Sequence, residues 1–130
     1  MESMSQFRKL VSLWAPALLW MGLLFGASAT PSTDIPTFGV LDYLVKKGGH
    51  VLGYAVLALL LRRALGWERR RLVAAWLLAV LYAMTDEFHQ SFVPGRHPAF
   101  LDAFVFDGGG AALALYLSTF VRRRRRRADG

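Results

Sequence analysis

The sequence predicts an all-α membrane protein, a bundle of four transmembrane helices with both termini on the cytoplasmic side. Three observations predict it. Of the 130 residues, 55% are hydrophobic and the mean hydropathy is positive, more apolar surface than a soluble core of this length uses. The apolar residues are bunched into stretches near the roughly 20 residues that a ~30 Å hydrocarbon layer demands, not spread in amphipathic alternation. The basic residues, which set a net charge of +7, stand in short blocks between and after those stretches, as topology determinants do. There is no cysteine, which excludes a disulfide framework, thiolate metal centres and cysteine nucleophiles.

The first span covers 10–29, behind Arg8 and Lys9, with Trp14, Pro16 and Trp20 inside it. Its end, Gly26-Ala27-Ser28-Ala29, has the small residues of a signal cleavage site, but the run is long for a signal core, so a retained helix is expected. Pro31, Ser32, Thr33, Asp34 and Pro36 then form a loop without Lys or Arg. The second span, 41–61, is interrupted in its first half by Lys46, Lys47, Gly48, Gly49 and His50. Arg62, Arg63, Arg69, Arg70 and Arg71 crowd the next connection, and the third span, 72–93, carries Asp86, Glu87, His89 and Gln90 in its last turns. After a Pro94-Gly95 turn, the fourth span, 99–121, holds Asp102, Asp107 and Gly108-Gly109-Gly110 in its first half, and the arginine run 122–127 ends it within a basic tail, 122–130. The positive-inside rule puts the N-terminus, the connection at 62–71 and the tail in the cytoplasm, with the other two loops outside. No fixed-period repeat or linker divides the chain, so 1–130 reads as a single domain. Ala55, Ala58, Ala111, Ala112 and Ala114 offer surfaces for close helix approach.

Ionised side chains at membrane depth are costly, so a group of them needs partners, water or a function. Helical spacing puts Asp86 and Gln90 on one face, Glu87 beside Gln90 at i, i+3, and Lys46, His50 and Tyr54 on a stripe with Lys47 off it. All fall in the outer halves of their helices, so three spans bring polar groups to a common depth. Arg96 has a planar fork of donors that fits a phosphate, or a carboxylate such as Asp102. A satisfied polar network that locks the bundle and a ligand-binding or acid/base set are both open readings of Asp86, Glu87 and Gln90. His50 pairs with carboxylates or shuttles a proton, while His89 and His97 read as loop or interface residues. Asp86, Glu87, Asp102 and Asp107 would suit a hard divalent ion, but no spacing has the specificity of a metal motif, and neither a metal nor another cofactor is expected. For the three glycines, close packing is favoured over a broken segment. The arginine tail is expected to fix orientation and meet anionic headgroups, not nucleic acid.

The pattern Asp86-Glu87-x-x-Gln90-x-Phe92-x-Pro94-Gly95-Arg96, followed by Asp102, a polar residue at 107 and Gly110, resembles the VanZ-like membrane proteins. The segment from Lys47 to Tyr54, with His50, is similar to the family's upstream Lys/His/Tyr element, and about half the chain carries the resemblance. One departure is Asp107, where the family pattern commonly has Asn, which adds a negative charge. The resemblance implies a role at the cell envelope, in the cytoplasmic (inner) membrane of a bacterium, and a link to glycopeptide (teicoplanin) resistance, but it supplies no reaction. The expectation is an outward-facing pocket for an anionic lipid or cell-wall-related headgroup, with Lys47, Tyr54, Gln90, Arg96, Asp102 and Asp107 binding. Asp86, Glu87 or His50 would act as acid or base if there is a reaction; whether this is an enzyme stays open. The alternatives are a proton-coupled transport or permeation unit, built as a homo-oligomer, and a non-enzymatic structural partner of a larger membrane complex.

Overall fold

The computed structural model describes residues 2–31 and 39–129. Of the first loop, Ser32, Thr33, Asp34 and Pro36 lie outside the described residues. Four helices are long and apolar enough to cross a membrane: α1 (Glu2–Ser28), α2 (Val40–Leu65), α3 (Arg69–Gln90) and α4 (Phe100–Ala128). Among the described residues there is no strand.

The helices depart from the expected spans where hydrogen bonding and hydropathy part company. α1 is already helical at Glu2, and α4 does not stop at Val121 but runs through the arginines to Ala128. Arginine is a good helix former, so the apolar span ends there while the backbone ladder continues. The interruption expected in the second span is likewise not a break: α2 is continuous, and Lys46 bonds Asp42 one turn earlier at 2.7 Å. α3 ends earlier than expected, at Gln90, because Pro94 lies ahead. The chain tightens into short turns, with Phe92 N–H on the His89 carbonyl and Val93 N–H on the Gln90 carbonyl, both at 3.0 Å.

Between α2 and α3 the chain reverses at Gly66, whose φ of 109° is open to glycine alone without strain, and whose N–H bonds the Arg62 carbonyl at 2.9 Å. In that connection the hydrogen bond from Arg70 holds the Glu68 carboxyl below its ordinary range.

α2 packs against all three other helices, most extensively against α4. The core is built of small residues. Ala75, Ala79 and Ala83 form an i, i+4 stripe on α3 and cluster with Ala17, Leu57, Ala58, Ala111 and Leu115. Of the alanines singled out from sequence, Ala58 and Ala111 are in this core, Ala55 and Ala114 are half-buried and Ala112 is exposed. Small residues let backbones approach, which is what association in lipid rewards in place of the hydrophobic effect. Meanwhile Leu18, Leu19, Leu23, Leu52, Leu77, Leu81, Leu113 and Leu117 are all exposed. Such an apolar belt is untenable in water and ordinary in lipid.

Polar side chains facing other helices find carbonyls there. Trp20 Nε1 donates to Gly53 O at 2.8 Å, Trp76 Nε1 to Gly108 O at 2.9 Å and the Tyr82 hydroxyl to Met21 O at 2.6 Å. Two of the three consecutive glycines are packed. A Cβ on Gly110 would lie 2.7 Å from Val51 Cγ1 and 3.0 Å from the Val51 carbonyl oxygen, and one on Gly108 would lie 3.2 Å from Val80 Cγ2. Gly109 faces open space. Gly110→Ala is therefore expected to destabilise the bundle by about 1–3 kcal/mol, read as a lowered thermal midpoint in detergent, while Gly109→Ala leaves it unchanged. Equal midpoints for the two variants would refute close packing as the role of Gly110.

Candidate functional site

Asp86 is the deepest member of the polar end. It is 3% exposed, and one of its oxygens, Oδ2, accepts from Ser28 Oγ at 2.6 Å, Tyr54 OH at 3.0 Å and Gln90 Nε2 at 3.2 Å. Three helices thus donate to one carboxylate oxygen. Oδ1 is buried and meets no hydrogen-bond partner among the described residues. Glu87, next along α3, is turned by about 100° and performs a different task. Its Oε2 accepts the backbone N–H of Ala99 at 2.7 Å, holding the residue that precedes α4. A helix start offers unpaired N–H groups, and a carboxylate satisfies one of them.

α4 enters the bundle through a π-turn, Ala103–Asp107, in which the Gly108 N–H reaches back to the Ala103 carbonyl. Bonding to the fifth residue stacks side chains five apart, whereas an ordinary α-helix would set Asp102 and Asp107 about 140° apart. Both carboxylates consequently face α2, where Lys47 and His50 stand at i, i+3. Lys47 Nζ bonds Asp102 Oδ2 at 2.8 Å, with the ammonium also 4.8 Å from the centre of the Phe106 ring. His50 Nδ1 lies 3.9 Å from Asp107 Oδ2, too long for a hydrogen bond and close enough for a charge contact when the imidazole is protonated. Asp107 is 4% exposed, and its Oδ1 also lacks a partner among the described residues.

Arg96 does not reach Asp102, which pairs with Lys47 instead. Its guanidinium is aimed at the end of α1, with Nη2 3.2 Å from the Thr30 carbonyl and 3.5 Å from that of Ala27. A cation at the carbonyl end of a helix is favourably placed. Among the described residues no carboxylate is within ion-pair distance of it.

These groups surround a cavity of about 430 Å³. Of the residues nominated from sequence, Lys47, His50, Glu87, Gln90, Arg96, Asp102 and Asp107 line it; Asp86 and Tyr54 do not, lying among the packed helices. His97 is part of the lining, whereas His89 stacks on Phe25 with ring centroids 4.2 Å apart. Among the described residues, no three His, Asp or Glu side chains gather closely enough to hold a metal ion. Two residues of this end were not singled out from sequence. Asp42, the partner of Lys46, carried a readable i, i+4 signal. Ser28 carried none, because its partner is 58 positions away.

Asp86→Ala would leave the donors of Ser28, Tyr54 and Gln90 buried without their acceptor. A loss of about 3 kcal/mol is expected, against about 1 kcal/mol for Tyr54→Phe, both measured by equilibrium unfolding in mixed micelles. A wild-type unfolding curve for Asp86→Ala would rule out the shared carboxylate as a structural tie.

No curated protein and no solved structure matches the chain. The VanZ/LLP1 family model matches residues 13–122. That range reaches from the first helix into the last and includes Ser28, Asp86, Glu87, Arg96 and the π-turn. The chain is therefore a membrane-spanning member of the VanZ/LLP1 family.

Proposed function

We propose that the polar end faces outward from the cytoplasmic membrane of a bacterium, and that its cavity binds an anionic lipid or cell-wall-related headgroup. The observation that carries this reading is Arg96, a guanidinium on the cavity wall whose hydrogen bonds among the described residues go only to backbone carbonyls. A phosphate is a better acceptor for that fork than two carbonyls at the limit of hydrogen-bond distance. Lys47 is the second cation for the anion, although it must loosen its bond to Asp102 to serve. Glu87, Asp102 and Asp107 on the same wall suit hydroxyl or ammonium groups of the same headgroup, and Gln90 suits either kind of partner.

If a reaction takes place, His50 beside Asp107, and Glu87, are the nominated bases with access to the cavity. Asp86 acts instead by positioning Tyr54 and Gln90. Orientation rests on the arginine blocks at the opposite end. A headgroup-binding role at the outer surface would also connect the protein with the response to teicoplanin.

Binding is tested by native mass spectrometry of protein extracted in mild detergent from its own membranes, with wild type and Arg96→Ala compared at matched folding. The expected result is an anionic or phosphorylated lipid retained by wild type, with at least one such lipid fewer on the variant. Identical retained lipids on both would sink the headgroup reading and favour a structural network or a transport unit. Orientation is tested separately, which the absence of native cysteine makes clean. In intact cells, an impermeant maleimide is expected to label Ser91→Cys, and to label Ala128→Cys only after lysis; the reverse pattern would invert the topology.

A further inference from the structure

The opposite end of the bundle contains a charged group that the polar cavity does not use. Arg62, in the last turn of α2, is 2% exposed. Its Nη1 donates to the Leu115 carbonyl at 2.9 Å, to Ser118 Oγ and to Thr119 Oγ1 at 2.9 Å, all on α4. Its Nε is buried without a hydrogen-bond partner, and among the described residues no carboxylate lies within ion-pair distance. A buried cation lacking a counter-ion is a costly arrangement.

Its neighbours add to the charge. The guanidinium of Arg62 is 4.7 Å from the ring centre of Trp67, and that of Arg122 is 4.6 Å from the same ring. Two cations share one indole. Arg62, Arg69, Arg122, Arg123 and Arg126 line a cavity of about 180 Å³, and no carboxylate is in its wall. The nearby Glu68 is engaged elsewhere, with Arg70 at 2.6 Å and Arg71 at 3.5 Å.

Two apolar grooves open from this cavity, one on each side of α4. Between α2 and α4 lies a groove of about 680 Å³ over Leu59, Ala114, Leu117 and Val121, sharing Trp67 and Arg122 with the cavity. Between α3 and α4 a second, of about 760 Å³, runs over Val73, Trp76 and Leu115 and shares Arg69 and Arg123. A free anion would need only the arginines. The pairing of an all-cationic cavity with two membrane-facing apolar grooves fits a molecule with one phosphate and two hydrocarbon chains.

We propose that the arginine-rich end is a specific binding site for an anionic phospholipid, its phosphate held by Arg62, Arg122 and Arg126 and its acyl chains laid in the grooves on either side of α4. By the positive-inside rule this lipid belongs to the cytoplasmic leaflet. The site is separate from the polar cavity and independent of what that cavity binds.

The test uses the purified full-length chain in detergent, titrated with phosphatidylglycerol, phosphatidylcholine or inorganic phosphate and followed by native mass spectrometry. Phosphatidylglycerol is expected to bind more tightly than phosphatidylcholine and to resist competition by inorganic phosphate. Arg122→Gln with Arg126→Gln is expected to weaken it about tenfold or more. Arg124→Gln with Arg127→Gln removes the same charge outside this cavity and is expected to change binding by less than about twofold. Equal losses from the two pairs would reduce the site to a diffuse basic surface and overturn the proposal. Binding of inorganic phosphate that displaces the lipid would overturn the assignment to a lipid. Arg62→Gln is expected to abolish retention of this lipid, leaving any lipid that depends on Arg96; if it does not fold, the two surface pairs decide. Arg96→Ala, at the far end, leaves this binding intact, so failure of either site is read without the other.

Discussion

The bundle depends on how a carboxylate is kept in a lipid-solvated interior. The side chain of Asp86 is reached by α1 through Ser28, by α2 through Tyr54 and by its own helix through Gln90. Because lipid supplies no competing hydrogen bonds, each donor is bound to this acceptor or left unsatisfied. That choice fixes the heights of three helices relative to one another. Glu87 extends the same logic to α4 by holding the Ala99 N–H. Adjacent carboxylates on one turn therefore tie together all four helices, a task that alanine-rich packing performs with little directional preference of its own.

Once the helices are tied, the π-turn determines what the polar end can do. Without it, Asp102 and Asp107 would diverge, and α2 could pair with only one of them. With it, two α2 side chains face two α4 carboxylates across the cavity wall. The close approach of Gly110 to Val51 maintains this facing just after the turn, since a side chain there would force α4 away from α2. Geometry at the wall and packing in the core are in this sense one constraint, expressed at Asp107 and at Gly110.

The number of helices and most of the polar residues that line the cavity were legible in the sequence, because hydropathy length and charge placement are properties of single segments. What stayed hidden was relational. Ser28 looks like part of a small-residue run until α3 places Asp86 beside it, and Arg96 was offered Asp102 because the two are close in sequence, whereas Lys47 takes that carboxylate from across the bundle. The π-turn leaves no mark in hydropathy, as it changes the phase of a helix and not its composition. The helices outrun the apolar spans for a related reason. The run 122–127 terminates an apolar span by charge, yet arginine sustains the helix, so solvent preference and backbone preference diverge there. Arg62 was read as topology information, although it is buried against α4 and differs from Arg63, which is exposed.

The two ends of the bundle handle charge in opposite ways. At the polar end Lys46, Lys47 and His50 each have a carboxylate within ion-pair distance. At the arginine-rich end the cations are gathered around Trp67, with no carboxylate among the described residues that line the cavity. Asp107 sharpens the contrast. An asparagine at this position would keep a polar group of the same size beside His50, whereas the carboxyl sets a second oxygen, buried and unpartnered among the described residues, in the same place. This chain therefore places an ionisable carboxyl where a neutral amide would satisfy the packing. The polar end thus mixes acidic and basic side chains around its cavity, and the other end gathers basic ones around its own.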